Sequence, residues 1–241
     1  MRISILGIDF DNLTLQEAVS AGMAALSGAG SCYAVTPNPE IIKAAQETPA
    51  LAQAIAGAAL VLPDGIGVVK AAQILRTPLK EKVPGIDFAA GLMAQMAADG
   101  KRLYLLGAKP GVAEAAAAKL SERYVGLDIC GWRDGYFPET ESEAVAAEIR
   151  SCGADVCFVC LGSPRQELWM AAHGDTSGAK LLVGLGGSLD VFSGQLKRAP
   201  AWMQRAGLEW LYRLMKEPQR LGRMMKIPGV ILQAYRERGH S

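Results

Sequence analysis

The run Asp155-Val-Cys-Phe-Val-Cys-Leu161 is followed without a gap by Gly162-Ser-Pro-Arg-Gln-Glu167. Consecutive apolar residues rich in Val and Phe, closed by a glycine and a proline, predict a buried strand ending in a turn. The polar residues beyond the turn open a helical pattern over 165–172. Cys157 and Cys160 spell a CxxC inside the run. Side chains alternate along a strand, so residues three apart face opposite ways and cannot clamp one metal ion together. Their expected role is that of small buried hydrophobes in a reducing compartment.

The same unit repeats along the chain. Apolar runs predict strands over 3–6, 32–35, 59–62, 103–106, 127–130, 156–161 and 181–185. Helical patterns fall over 15–26, 39–56, 67–75, 87–98, 111–123, 142–151 and 165–172. Alternation of this kind predicts an α/β protein with a Rossmann-like, mostly parallel sheet and helices on both faces. Ligands in such sheets sit beyond the C-terminal ends of the strands, where the following loops converge. With 241 residues, half of them apolar, the chain can bury the core of one domain, or of one domain with an appendage. There are no repeats and no low-complexity linker, and one break in composition, near Gly194.

Beyond that break charge and apolar surface accumulate together. Residues 196–241 hold ten Lys/Arg against three Asp/Glu, a net +7, which leaves about −6 for residues 1–195 of a chain whose total is +1. Such asymmetry calls for an anionic partner on one surface. Trp202, Trp210, Tyr212, Leu214, Met215, Met224 and Met225 interleave with the basic residues and favour an anionic membrane surface over nucleic acid. The alternative is a solvated basic face on a helical cap. Arg213, Lys216, Arg220 and Arg223 are spaced 3, 4 and 3, a single helical stripe, and Pro218 is expected to divide it into two helical pieces. No uncharged apolar run approaches the roughly 20 residues that cross a bilayer. Residues 1–11 meet Asp9 and Asp11 too early to read as a signal peptide. With two histidines and five cysteines lacking any framework spacing, a histidine-rich metal centre is not expected.

Polar residues collect in the loops after the strands: Thr36-Pro-Asn-Pro-Glu40, Leu62-Pro-Asp-Gly-Ile-Gly67, Lys82-Val-Pro-Gly-Ile-Asp87, Gly162-Ser-Pro-Arg-Gln-Glu167 and Gly184-Leu-Gly-Gly-Ser-Leu-Asp190. Gly194-Gln-Leu-Lys-Arg-Ala-Pro200, Gly207-Leu-Glu-Trp-Leu-Tyr-Arg213 and Glu217-Pro-Gln-Arg220 follow. From about Gly7 to Arg223 this set, in this order, resembles the bacterial glycosyltransferase family that includes the teichoic-acid and enterobacterial-common-antigen N-acetylmannosamine(uronic acid) transferases. The resemblance implies transfer of an N-acetylmannosamine-like or glucose-like sugar from a UDP-sugar to a polyprenyl-diphosphate-linked sugar, with inversion at the anomeric carbon. It places the enzyme in the cytoplasm, peripheral on the inner face of the bacterial cytoplasmic membrane. Residues 1–195 are then the catalytic α/β domain and 196–241 a basic, amphipathic, helical appendage that binds membrane and acceptor. A homo-oligomer that loosens at the bilayer is compatible with this reading.

Inverting transfer needs a general base for the acceptor hydroxyl. Asp64, on a Pro-Asp-Gly turn at a strand end, is the best-placed carboxylate, and the resemblance marks it as that base; its alternative is a helix N-cap. Thr36 and Asn38 suit sugar binding or orientation of the base, or else plain turn chemistry beside Pro37 and Pro39. The resemblance puts Gln166 in the donor pocket, at a helix start with Gly162, Pro164 and Glu167. Gly107 and Lys109 lie in a strand–turn–helix unit expected around a nucleotide, with Lys109 on a phosphate, and Tyr136 offers an aromatic face to uracil or packs in its loop. Lys82 stands where the family pattern usually has Arg, and a point-charge ammonium cannot make its planar bidentate contact. Arg213, Arg220 and Arg223 match the tail arginines thought to grip the acceptor diphosphate, and Arg198 joins them in the basic segment.

No cofactor beyond the donor is expected. Asp9-Phe-Asp11 spells the DxD of metal-dependent glycosyltransferases, but before a helix start it reads as a turn and N-cap, so transfer is expected to be metal-independent. Two rivals remain. Gly184-Leu-Gly-Gly187 resembles the start of a dinucleotide fingerprint and would suit an NAD(P)-binding oxidoreductase, although Leu189 stands at its sixth position. A non-catalytic UDP-sugar-binding membrane module is the other.

Overall fold

The computed structural model describes residues 1–216 and 226–238. Six strands form one parallel sheet in the order β4-β3-β8-β7-β5-β6: β3 (Cys32–Val35), β4 (Leu60–Val61), β5 (Arg102–Gly107), β6 (Asp128–Arg133), β7 (Val156–Cys160) and β8 (Leu181–Gly184). Its two faces are read directly from alternation. Tyr104, Leu106, Cys157, Val159 and Leu182 pack on one side; Leu103, Leu105, Phe158, Cys160 and Val183 pack on the other. The first face is covered by α2 (Pro39–Glu47), α3 (Pro49–Ala56), α4 (Ile66–Ile74), α7 (Ser142–Ser151) and α8 (Arg165–Ser177). The second is covered by α1 (Leu15–Ala25), α5 (Gly85–Asp99), α6 (Val112–Arg123) and α9 (Ser188–Phe192). Cys157 and Cys160 therefore sit on opposite faces. Burial pushes the Cys160 thiol up to about 12 and Cys157 well above its ordinary value.

Two expectations are corrected. Residues 3–6 do not join the parallel sheet. They form β1 (Arg2–Ile5), which pairs antiparallel with β2 (Ile8–Asp11) through a two-residue turn with positive φ at Leu6 (52°) and Gly7 (86°), the geometry that suits strand twist. Asp9-Phe-Asp11 is thus a strand, with Phe10 buried between the two acids. The carboxylate of Asp11 accepts from Arg2 Nε and from the N–H of Val61, stitching the hairpin to β4, and the N-cap of α1 is Thr14. Residues 39–56 form two helices because Pro49 lacks an N–H and holds Thr48 extended (φ −129°, ψ 97°).

The connections fix where the site lies. β5 runs through α6 outward to β6, whereas its neighbour β7 runs through α8 the other way to β8. Neighbouring strands whose connections diverge open a crevice at their C-terminal ends. β3 and β8 diverge likewise, since α2 lies on one face and α9 on the other. After β8 the chain makes α9, α10 (Ala201–Arg205), α11 (Glu209–Lys216) and α12 (Lys226–Arg238). α12 packs on α2 and α4, with Val230 and Ala234 fully buried and Gln233 accepting from Lys43 Nζ.

Gly107 ends β5 with φ 127°, and a Cβ there would lie 2.3 Å from the carbonyl oxygen of Cys160. Gly111 also has positive φ (80°) but open space around it. We expect Gly107→Ala to lower the free energy of urea unfolding by about 2–4 kcal/mol, combining strain and overlap, and Gly111→Ala by about 1–2 kcal/mol from backbone strain alone. Equal losses in the two variants would contradict the close approach of β5 to β7.

Candidate active site

Two cavities open at the C-terminal edge of the sheet. The larger, about 840 Å³, lies at the β5/β7 divergence. Ala108 and Lys109 come from the loop after β5, Gly162 from the loop after β7, Tyr136 from the loop after β6, and Gly186, Gly187 and Asp190 from the turn into α9. Gly107 brings these loops together by its close approach to Cys160. Tyr136 is 70% exposed at the lip. Its loop is held by Arg165 at the start of α8, which donates to the carbonyls of Gly135 (2.6 Å) and Phe137 (2.7 Å) and stacks 4.5 Å over the Phe137 ring. A cavity with a lysine, a lip aromatic, a carboxylate and the start of α8 at its wall suits a nucleotide diphosphate.

The smaller cavity, about 150 Å³, contains Asp64. Asn38, Glu40, Lys82, Gly85, Leu185, Ser188, Glu209 and Trp210 share its wall. Asp64 follows β4, and its Oδ2 lies 3.4 Å from the N–H of Gly85 at the start of α5. The N-cap of α4 is Gly65, so Asp64 does not fill the capping role. Asn38 does cap: its Oδ1 accepts from the N–H groups of Glu40 and Ile41, which leaves its amide nitrogen for a ligand. Thr36 is buried and donates to the carbonyl of Gly184 at 3.2 Å. A Cβ on Gly85 would lie 3.0 Å from the Thr36 hydroxyl oxygen, so a larger residue there would push Thr36 or α5 by a few tenths of an ångström.

One segment, the turn 185–187 with the start of α9 to Asp190, walls both cavities: Leu185 and Ser188 face the smaller, and Gly186, Gly187 and Asp190 the larger. Gln166 holds that segment. Its Oε1 accepts from the N–H of Gly186 at 2.9 Å and its Nε2 donates to Glu167 Oε1 at 2.9 Å. Gln166 and Glu167 are only 3% and 1% exposed, and among the described residues neither forms part of either cavity wall. They were expected to face the donor, and here they stand behind the wall that Gly186 and Gly187 form. Both point into the packing of α8, where burial raises the Glu167 pKa above its ordinary value against the opposing bond from Gln166. Pro164, the residue before α8, is likewise absent from both walls among the described residues.

The C-terminal segment contributes differently from expectation. The Arg198 guanidinium forks onto Asp87 (2.5 and 2.8 Å) and reaches Glu209 (2.9 Å). Asp87 first, then Glu209, hold it charged above the usual arginine range. Two carboxylates thus hold the guanidinium that was expected to serve the acceptor diphosphate. Lys82 lies in the Asp64 cavity, away from Lys109 and Tyr136, and donates to the carbonyl of Gln204 at 3.0 Å. It ties α10 to the body. Arg213 lies on α11, four residues beyond Glu209. Pro218, Arg220, Arg223, Met224 and Met225 lie outside the described residues.

Sequence reasoning missed Asp190, Glu209 and Trp210 as wall residues. Asp190 had a signal, an acid closing the glycine turn after a strand. Glu209 and Trp210 stood in the quoted run 207–213, but their place in this wall depends on how α11 folds back. The dinucleotide rival loses its premise: the fingerprint needs a crossover helix leading to another strand, whereas α9 is five residues long and no strand follows β8 among the described residues.

Comparison with known proteins agrees with this architecture. The N-acetylglucosaminyldiphosphoundecaprenol N-acetyl-beta-D-mannosaminyltransferase of Staphylococcus aureus (strain MRSA252) is 35% identical over 229 residues, covering 94% of this chain and 89% of the relative. The enzymes of the same name from strains MW2 and NCTC 8325 / PS 47 match to the same extent. Residues 3–241 match the glycosyl transferase WecG/TagA/CpsF family, and the chain belongs to that family as a glycosyltransferase.

Proposed function

We propose that this enzyme moves N-acetylmannosamine from its UDP donor to an N-acetylglucosamine carried on polyprenyl diphosphate, with inversion, in the synthesis of a cell-surface polysaccharide. The observation that carries this reading is the single wall of residues 185–190 between two cavities, one suited to a nucleotide and the other holding Asp64. A donor seated in the larger cavity can present its sugar across that wall to an acceptor in the smaller. The names of the relatives support the choice of acceptor and of transferred sugar.

In this mechanism Asp64 takes the proton of the attacking acceptor hydroxyl. The hydroxyl oxygen bonds to the anomeric carbon as the bond from that carbon to the UDP phosphate oxygen breaks, and UDP leaves with the electron pair. Lys109 and the N-terminus of α8 face the developing phosphate charge. Thr36 and Gly85 fix the geometry around the carboxylate, and Gln166 acts as a positioning residue for the shared wall. Both oxygens of Asp11 hold the hairpin, so the DxD has a structural use, and we propose that transfer needs no metal.

The acceptor's lipid stays in the bilayer, so the enzyme must come to it. Among the described residues no helix is long and apolar enough to cross a membrane. Trp202 on α10 is 59% exposed and Met215 on α11 is also exposed, and both helices flank the Asp64 cavity through Gln204, Glu209 and Trp210. These residues support a peripheral enzyme on the inner membrane face, drawn to anionic lipid by the basic C-terminal segment.

Asp64→Asn is expected to lower turnover about 100- to 10,000-fold while UDP affinity in calorimetry stays within about twofold; normal turnover removes Asp64 as the base. Activity persists in excess chelator, and a loss restored by Mg or Mn would overturn metal-free transfer. Because α12 buries Val230 and Ala234 in the core, membrane docking is better tested by point changes than by truncation. Trp202→Ser with Met215→Ser weakens co-sedimentation with phosphatidylglycerol vesicles and leaves UDP affinity intact. Undiminished sedimentation would place the docking surface elsewhere.

A further inference from the structure

α11 begins with Glu209 and Trp210, and both line the Asp64 cavity. Glu209 is not a loose surface acid: its side chain is 18% exposed and its Oε1 accepts from Arg198 Nε. The other two nitrogens of Arg198 fork onto Asp87, in the first turn of α5. Two residues before Asp87, the N–H of Gly85 faces Asp64. Glu209 is therefore set at a fixed place relative to Asp64 through one guanidinium and one helix turn.

The chemistry of this wall suits a sugar ring. Among the described residues it places the indole of Trp210 beside the carboxylate of Glu209, which Arg198 holds in position. A pyranose offers an apolar C–H face to an indole ring and hydroxyl or amide N–H donors to a carboxylate. α11 follows directly on α10, whose exposed Trp202 belongs to the proposed membrane-facing surface, so a sugar tethered to lipid reaches this wall more directly than one tethered to a nucleotide.

We propose that Glu209 and Trp210 form the subsite for the sugar ring of the lipid-linked acceptor, with Arg198 as the positioning residue that aims Glu209. Trp210 stacks on the ring, and Glu209 accepts from its hydroxyl or amide groups. This rests on the reading that the Asp64 cavity receives the acceptor.

The test compares two soluble probes in the presence of UDP: a short prenyl diphosphate, and the same molecule bearing N-acetylglucosamine. Wild-type enzyme binds the sugar-bearing probe about tenfold more tightly, as expected for one stacked ring and one charged hydrogen bond. Trp210→Ala and Glu209→Gln each shrink that preference to about twofold or less, with affinity for UDP and for the sugar-free probe unchanged. Trp210→Phe retains most of the preference, and Arg198→Lys reduces it without removing any group that touches the sugar. Thermal unfolding checks each variant, and Glu209→Gln, which preserves shape, decides the matter if Trp210→Ala is unstable. An undiminished preference in both variants overturns the proposal, as does a parallel fall in affinity for the intact UDP-sugar, which would assign the wall to the donor. Failure of the underlying reading looks different: wild-type enzyme would then show no preference between the probes and no dependence of transfer on Asp64.

Discussion

All six strands of the sheet run parallel, and a parallel sheet has to be roofed on both faces by its own crossover helices. Roofing of that kind leaves one place for chemistry, the row of loops where strands end and helices begin. Within that row the bridge from Gln166 to Gly186 is the contact on which the rest relies. Gly186 has positive φ and no side chain to pack, so beyond the turn that Ser188 closes on the Leu185 carbonyl it relies on a contact from outside. The amide of a buried glutamine, braced in turn by Glu167, supplies what the loop lacks. In the proposed function Gln166, behind the wall, acts through Gly186.

The inner strands β5, β7 and β8 were legible because burial on both faces writes itself as apolar runs, and each of the seven expected runs is a strand. β2 was not, because Asp9 and Asp11 flank a single inward Phe10, and two acids around one aromatic look like a turn until a partner strand is present. The split of residues 39–56 was written in the sequence as Thr48-Pro49 and was outweighed by the apolar period around it. In the site, Asp64, Thr36 and Asn38 could be found from their position after strands, since topology alone delivers such loops to one edge. Gln166 and Glu167 could not be oriented from sequence: both are polar, they are adjacent at a helix start, and the side of α8 that faces the sheet is settled only by packing.

Charge counting had a similar limit. The excess of basic residues beyond Gly194 is real, but it does not say which cations stay available. Arg198 pairs with Asp87 across 111 residues of sequence, a match that no local pattern announces. Arg198 thus serves to dock the segment on Asp87, and Lys82 reaches up from the body to Gln204. Docking of this kind turns a sequence-distant segment into part of the cavity wall and brings Trp210 next to the carboxylate of a different loop.

The partition between the cavities has an evolutionary corollary. Residues 185–190 serve both cavities with one short backbone, so a replacement that shifts it on one side is felt on the other. Neighbouring positions that share a backbone shift are the ones whose mutational effects fail to add. Under the proposed seating of donor and acceptor, the two preferences should accordingly drift as a linked pair, so that a new nucleotide sugar is adopted most readily together with a compensating change on the lipid-linked side.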